Sequence, residues 1–271
     1  MSVERTLRAA GQPAGDIQVI ARCAQLLRLF STSQRSLRVS DVGAEIGLQR
    51  TTVHRYLSSM ANAGFLERDS EGFYSLGPLL VQLGTVALRG LRVLEIGGPC
   101  LQQLADEADE TAVIAVWGGL GPVVARVHEP ADRLVNISVR VGSPLPLEAA
   151  QSQVFLAFLS DRSAAQRLLA QLSGVHRREI QDRIEMVRQD GYIVSSQVVQ
   201  GIRAVAAPVF DGHGEVCATV ALLGTVNGIP GAARSGLVLA LLRTAERLSR
   251  ELGFAALLPF EPTLRSQENA S

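Results

Sequence analysis

Residues 44–66 read AEIGLQRTTVHRYLSSMANAGFL, and no other stretch restricts the fold of the chain so tightly. Val53, Leu57 and Met60 recur at i, i+4 and i+7, the spacing that lines one face of a helix. The opposite face carries Arg50, Thr51, Thr52, His54, Arg55, Ser58 and Ser59, all able to hydrogen-bond. No Asp or Glu occurs between Glu45 and Glu67, although the chain balances 26 basic against 26 acidic residues. Two readings compete. The polar residues are a fragment of an active site, or they are the outward face of a helix that lies on a polyanion.

The flanking sequence favours the second reading. Upstream, LRVSDVGAEIGL holds a short helical pattern with Ser40 as its cap and Val42 and Ile46 as its apolar stripe. Gly47 supplies a tight connection, and Gly64 stands where a left-handed C-terminal cap belongs. Downstream, FLERDSEGFYSL alternates apolar and polar residues around DSEG, a β-hairpin with Gly72 at the turn. A first helix begins after Asp16, a residue suited to its N-cap. Its apolar positions are Ile17, Ile20, Ala24, Leu27, Leu29 and Phe30, and STSQRS ends it. Helix, helix, turn, helix and hairpin within residues 16–76 form a winged helix-turn-helix. In such a module the second helix of the motif enters the major groove of double-stranded DNA. Arg matches guanine edges and phosphate alike. The candidate DNA contacts are Arg38, Arg50, Thr51, Thr52, His54, Arg55, Ser58 and Arg68, with Arg38 and Arg68 assigned to phosphate. Residues 1–76 hold nine Arg against seven acidic residues, a net of +2, and the chain has no Lys.

With 271 residues, 47% of them apolar, the chain is long enough for a second domain. Residues 1–15 read as a flexible arm and 77–98 as a linker helix, after which Pro99 opens another helix. Strand patterns follow at 111–117, 122–128 and 134–139, helices at 148–160, 163–172 and 176–190, strands at 192–197, 203–210 and 215–223, and a closing helix at 232–252. GGLG and DGHG supply hairpin turns. The expected class is α+β: a winged helix-turn-helix, a linker helix, and a second domain over 99–258 with an antiparallel sheet and helices packed on it. Residues 259–271 read as a disordered tail.

Other classes find little support. No apolar run reaches the roughly 18 residues that cross a bilayer, and the N-terminus lacks a signal-peptide core; a cytoplasmic protein with no membrane contact is expected. The three Cys, at 23, 100 and 217, form no C-x-x-C pair and read as small buried hydrophobes. The four His, at 54, 128, 176 and 213, never reach metal-ligand spacing. No G-x-S-x-G elbow or P-loop occurs, and GTVNGIPG at 224–231 lacks G-x-G-x-x-G. Cys217 with His213 is the nearest approach to a catalytic pair, but it lacks a third group to orient the base. No enzyme, cofactor or metal is expected.

The core GL-x-R-x-TVHR-x-L, Gly47 to Leu57, resembles the IclR family of bacterial transcription regulators. So do VGSPLPLEAA at 141–150 and GIRAVAAPVFDGHGEVCATVALLG at 201–224. The resemblance runs from Ile17 to Leu252. It implies that the C-terminal domain is GAF-like and binds a small-molecule effector. It also implies a homodimer, or a dimer of dimers, on a palindromic operator. The family's polar pocket positions fall here on Ala204, Ala221 and Leu223, and an acidic one falls near Ser195. Where the family continues its LPLEAA-like block with a small residue, Gly and Lys, this chain reads Gln151, Ser152, Gln153. A small anion desolvated among such groups lacks partners, at a cost of several kcal/mol. An apolar or aromatic effector, a larger lipid-like one, or none at all fits better. The effector-pocket residues this implies are Val113, Trp117, Leu145, Leu147, Ser195, Ala204, Ala221 and Leu223, with Arg203 as a second polar candidate beside Ser195. The expected function is a ligand-responsive DNA-binding repressor. The alternative is a constitutive DNA-binding regulator whose second domain serves oligomerisation only.

Overall fold

The stripe that opens the sequence reading is the keel of the N-terminal unit: Val53 and Leu57 are 0% exposed and Met60 3%. They belong to a core with Leu26, Leu37, Val42, Leu66 and Tyr74. The computed structural model describes residues 17–130, 137, 139–229 and 235–255. The described chain divides between Leu91 and Arg92 into two units. The arm at 1–15, the cap assigned to Asp16, most of the strand expected at 134–139 and the tail at 259–271 lie outside the described residues.

The first unit runs α1 (Gln18–Leu27), β1 (Ser36–Leu37), α2 (Val39–Ile46), α3 (Arg50–Asn62), β2 (Leu66–Arg68), β3 (Tyr74–Leu76) and α4 (Pro78–Arg89). The expected hairpin is β2–β3, with Leu66 opposite Leu76 and Arg68 opposite Tyr74. The two-residue β1, which sequence periodicity did not reveal, pairs with β3 and makes the wing three-stranded. Ser40 is not the cap of α2. That place falls to Arg38, because β1 ends at Leu37 and the chain turns into the helix at once; Ser40 sits inside the first turn and donates to Asp41. At its far end α3 closes in a Schellman motif. Phe65 N–H donates to Met60 C=O at 2.9 Å and Gly64 N–H to Ala61 C=O at 3.0 Å, with Gly64 at φ 79°.

Gly77, the N-cap of α4, sits on the backbone of this cap. A Cβ there would lie 2.4 Å from Gly64 O and 2.8 Å from the Leu66 backbone. Gly77 N–H donates to Phe65 O at 2.8 Å, and Leu79 N–H donates to Gly64 O at 3.2 Å. Gly77→Ala is therefore expected to destabilise this unit by about 1–3 kcal/mol, the cost of forcing a methyl into a filled space. Calorimetry of the variant should show a lowered first transition; a wild-type midpoint would mean that the 64–66 backbone yields freely.

The linker reading needs correction. The helix does not run to Gly98: α4 ends at Arg89, and α5 (Arg92–Ala108) starts two residues past Gly90 and carries Pro99 in its interior. Packing explains the shift. From Val93 onward the helix buries one side, Val93, Gly97, Leu101, Leu104 and Ala108, whereas every residue from Val81 to Gly90 is exposed. Gly97 lets α5 approach the sheet so closely that a Cβ would meet Ile114 Cδ1 at 2.6 Å. That contact holds the helix through the proline, which has no N–H to donate back.

The second unit continues with β4 (Thr111–Trp117), β5 (Pro122–His128), α6 (Ala150–Phe158), α7 (Arg162–Leu169), α8 (Gly174–Asp190), β6 (Ile193–Ser195), β7 (Ile202–Phe210), β8 (Val216–Thr225) and α9 (Gly236–Glu251). The sheet has the order β5-β4-β8-β7-β6, every pair antiparallel. Opposite residues share a face. One face packs on α5 and α9. The other, which carries Val113, Ala206 and Ala221, is covered by α6 and α8, with Val154, Ile180, Ile184 and Val187 in the same core. This is the α+β arrangement expected. Among the described residues no helix is long and apolar enough to cross a membrane.

Candidate nucleic-acid interface and ligand layer

Helix α3 presents Arg50, Thr51, His54 and Arg55 to solvent; Thr52 and Ser58 are half-buried. Ser58 shares a hydrogen bond of 3.4 Å with the Tyr74 hydroxyl, which turns it toward the wing. Thr52 and Arg55 border a groove of about 430 Å³ between α3 and α1, together with Val19, Cys23 and Tyr56. Gln49 is the N-cap of α3, yet its side chain makes no capping bond. The first-turn N–H groups of Arg50, Thr51 and Thr52 thus keep their donor capacity at the positive end of the helix.

The two outlying arginines are seated on wing aromatics. The Arg38 guanidinium lies 4.0 Å from the centroid of Phe73, and that of Arg68 lies 5.6 Å from Tyr74. Stacking fixes each planar group while leaving its N–H edge free for an anion. Among the described residues none of Arg38, Arg50, Arg55 and Arg68 has a carboxylate within ion-pair distance. Asp69, which follows Arg68 in sequence, turns inward: its Oδ1 accepts from the N–H groups of Glu71 and Phe73. The role of Phe73 was not legible beforehand, since it depends on β1 bringing Arg38 beside the wing.

In the second unit the register sorts the expected pocket residues into rows. Thr111, Leu223, Ala204 and Ser195 form one row across β4, β8, β7 and β6. Val113, Ala221, Ala206 and Ile193 form the next. Leu147 packs on the same layer. Trp117 and Leu145 do not join Ser195. They belong to a group with Phe155 and Phe210, and the Trp117 and Phe155 ring centroids are 5.6 Å apart; Trp117 also packs on the core that holds Leu147, Ala204 and Leu223. Six residues of strand separate Thr111 from Trp117, about 20 Å. Arg203 is also occupied elsewhere, clasping the loop after β8 through Val226 O at 3.1 Å and Ile229 O at 2.6 Å, with Ser196 Oγ at 3.1 Å.

Four polar atoms in this unit are shielded from solvent without a partner among the described residues: Thr111 Oγ1, Ser195 Oγ, Ser152 Oγ and Gln153 Oε1. Two stand on the first row and two on the first turn of α6. That turn lies over the same face of the sheet, since Gln151 Nε2 donates to Thr219 O at 3.2 Å and to Thr219 Oγ1 at 3.1 Å. Native interiors rarely leave such groups unpaired, so each one calls for an explanation. Of the four, only Ser195 was expected as a site residue; Ser152 and Gln153 stood out solely as departures from a family pattern.

Close by, His176 of α8 bonds Glu148 at 2.8 Å, and Glu179 lies 3.6 Å from its other ring nitrogen. The hydrogen bond to Glu148 raises the His176 pKa above 6.5, against the opposing pull of burial. A raised pKa stabilises the folded chain fully below the unfolded value of 6.5 and ceases to do so as pH rises through the folded value. The thermal midpoint is expected to fall more steeply above that pH in the wild type than in His176→Gln. Equal slopes in a pH series of melts would remove His176 from the account.

Cys217 Sγ donates to Val209 O at 3.4 Å, and among the described residues no hydrogen bond joins it to His213. Burial, with the Asp211 charge added, pushes the Cys217 thiol up to about 12, the opposite of an activated nucleophile. The three Cys are unpaired, and Cys23 and Cys217 are only half-buried.

Comparison with known proteins agrees with both halves of this geometry. The IclR helix-turn-helix domain matches residues 19–70, and the model of the bacterial transcriptional regulator IclR C-terminal domain matches 85–250. An HTH-type transcriptional regulator of Mycobacterium tuberculosis is 32% identical over 203 residues, 72% of this chain and 77% of its own length. The transcriptional repressor IclR of Escherichia coli is 26% identical, over 82% of this chain and 85% of its own. The crystal structure of a regulator from Alicyclobacillus acidocaldarius superposes with a TM-score of 0.69 at 25% identity, covering 88% of this chain and 98% of that one.

Proposed function

The chain belongs to the IclR family of bacterial transcriptional regulators, and from that premise we propose that it is a repressor released from its operator by a small-molecule effector. One observation carries the DNA contact: the exposed face of α3 bears Arg50 and Arg55, free of carboxylates, between two further arginines stacked on the wing. Arg50, Thr51, His54 and Arg55 face the groove, the uncapped start of α3 takes a phosphate, and Arg38 and Arg68 grip the flanking backbone. Thr52 and Ser58 contribute at the margins. Repression follows the E. coli relative.

A homodimer, alone or paired, on a palindromic operator is supported by α4. Val81 and Val86 are each 66% exposed there, and Ile17 at the start of α1 and Val19 and Ile20 on it are exposed as well. Apolar surface of this kind marks an interaction site, and a second copy covers it with the symmetry that a palindrome mirrors. The effector lodges in the layer between the sheet and α6, against Val113, Leu147, Ser195, Ala204, Ala221 and Leu223. Trp117 and Leu145 bound its far end.

Selection of bound genomic fragments tests the whole reading. Fragments sharing an inverted repeat, released by a metabolite mixture, are expected. Binding unchanged by every metabolite would leave a constitutive regulator whose second unit only oligomerises.

A further inference from the structure

Three residues that helices avoid stand together inside α5: Gly97, Gly98 and Pro99. In a helix interior glycine costs about 1 kcal/mol relative to alanine, and proline costs more. Gly97 is explained by its close approach to Ile114 of the sheet. Gly98 has a different neighbour. A Cβ there would run into Arg126 Nη1, so the guanidinium lies against the helix in the space that the missing side chain leaves. Arg126 comes from β5 and stands opposite Ile114, and His128 stands opposite Ala112. Both therefore lie on the α5 face of the sheet.

Between α5 and β5 is a cavity of about 400 Å³, with Gly98, Pro99, Leu101 and Gln102 on the helix side and Arg126 and His128 on the strand side. Small-molecule sites span roughly 300–1,000 Å³. Arg126 is exposed, and its guanidinium has no hydrogen bond or ion pair among the described residues. The carboxylates of the same helix do not engage it. Asp106 lies 3.9 Å from His128 instead, and Glu95, one turn before Gly98, has no ion pair among the described residues. The Gln102 amide is likewise without a partner among them. A planar fork of donors, backed by the helix at Gly98, thus borders the cavity with its charge uncompensated. Local rules broken without a packing reason mark functional positions, and the Gly98–Pro99 pair of α5 lines this cavity.

We infer that this cavity is a ligand site of its own, on the face of the sheet turned away from α6 and α8, and that it takes a small carboxylate with a short apolar body. The two carboxylate oxygens accept from the Arg126 fork, the Gln102 amide donates a further hydrogen bond, and Pro99 and Leu101 border the hydrocarbon. Bidentate, charge-assisted bonds of this kind are about twice as strong as neutral ones. An amide of the same shape replaces one oxygen by an NH2 group, which meets the guanidinium donor to donor. The site shares no residue with the effector layer proposed above, so the two stand or fall separately.

Calorimetric titration of the full chain with isovalerate, its uncharged analogue isovaleramide and inorganic phosphate tests the assignment. Wild type is expected to bind isovalerate about tenfold or more tightly than isovaleramide, and more tightly than phosphate, which lacks the apolar body. Arg126→Gln should bring isovalerate down to the level of isovaleramide and leave isovaleramide itself unchanged. Gly98→Ala keeps the charge but unseats the fork, and should weaken isovalerate several-fold. Four results overturn the inference: equal binding of acid and amide by wild type, unchanged isovalerate affinity in Arg126→Gln, phosphate binding as tight as that of isovalerate, or no binding of any probe. Should Gly98→Ala disturb the helix, Arg126→Gln at its exposed position carries the test alone.

Discussion

Arg50→Ala combined with Arg55→Ala should weaken operator binding by about 100-fold or more, since each contact to a base edge or phosphate contributes about 1–3 kcal/mol. The thermal midpoint should not move, because both side chains are exposed and neither has a described ion-pair partner. Fluorescence anisotropy at several salt concentrations separates the roles. If both arginines hold phosphates, the slope of log K against log salt should drop by about 2 and all sequences should weaken alike. If either reads a base, discrimination against mutated operators shrinks while the slope holds. Wild-type affinity in the double variant would mean that the wrong face of α3 has been assigned to DNA.

Leu57→Ala acts on the opposite face of the same helix. Leu57 is fully buried, with Val53 and Met60 on its own helix and Leu26, Val42 and Tyr74 around it. Truncation removes transfer free energy and leaves a cavity, together about 2–5 kcal/mol. A winged unit of this size has little stability to spare, so α3 should melt well before the second unit. Operator binding is then lost at temperatures where the C-terminal sheet persists. Two separated transitions in circular dichroism are the expected record; one unshifted transition would show that Leu57 does not carry the core.

The contrast between these residues explains what could be read in advance. Val53, Leu57 and Met60 repeat at a period that only a helix satisfies, and Gly64 and Gly72 stand where the backbone needs positive φ, so α3 and the wing were legible. The start of α2 was not, because Ser40 offers a good cap while the fold sets the boundary by where β1 lets go of β3. The end of the linker failed for a similar reason. Gly97, Gly98 and Pro99 look like a break, yet Gly97 is the point of closest approach to Ile114, and tertiary packing overrides local propensity there.

The ligand layer was half visible. The family resemblance pointed to Ala204, Ala221 and Leu223, and the register sets Ala204 opposite Leu223 and Ala206 opposite Ala221 on one face of the sheet. Distance along the strands was invisible, so Trp117 and Ser195 were grouped although a sheet length divides them.

The seat of Gly77 on the Gly64–Leu66 backbone gives α4 a fixed departure angle from the end of α3. Whatever clamps α4 therefore also aims α3. If two copies meet along α4, the separation of their recognition helices is set by this one backbone contact rather than by anything in the second unit. The spacer between operator half-sites then becomes a ruler for that angle. A substitution that loosens the seat should blur the preferred spacer length before it lowers affinity for any single half-site.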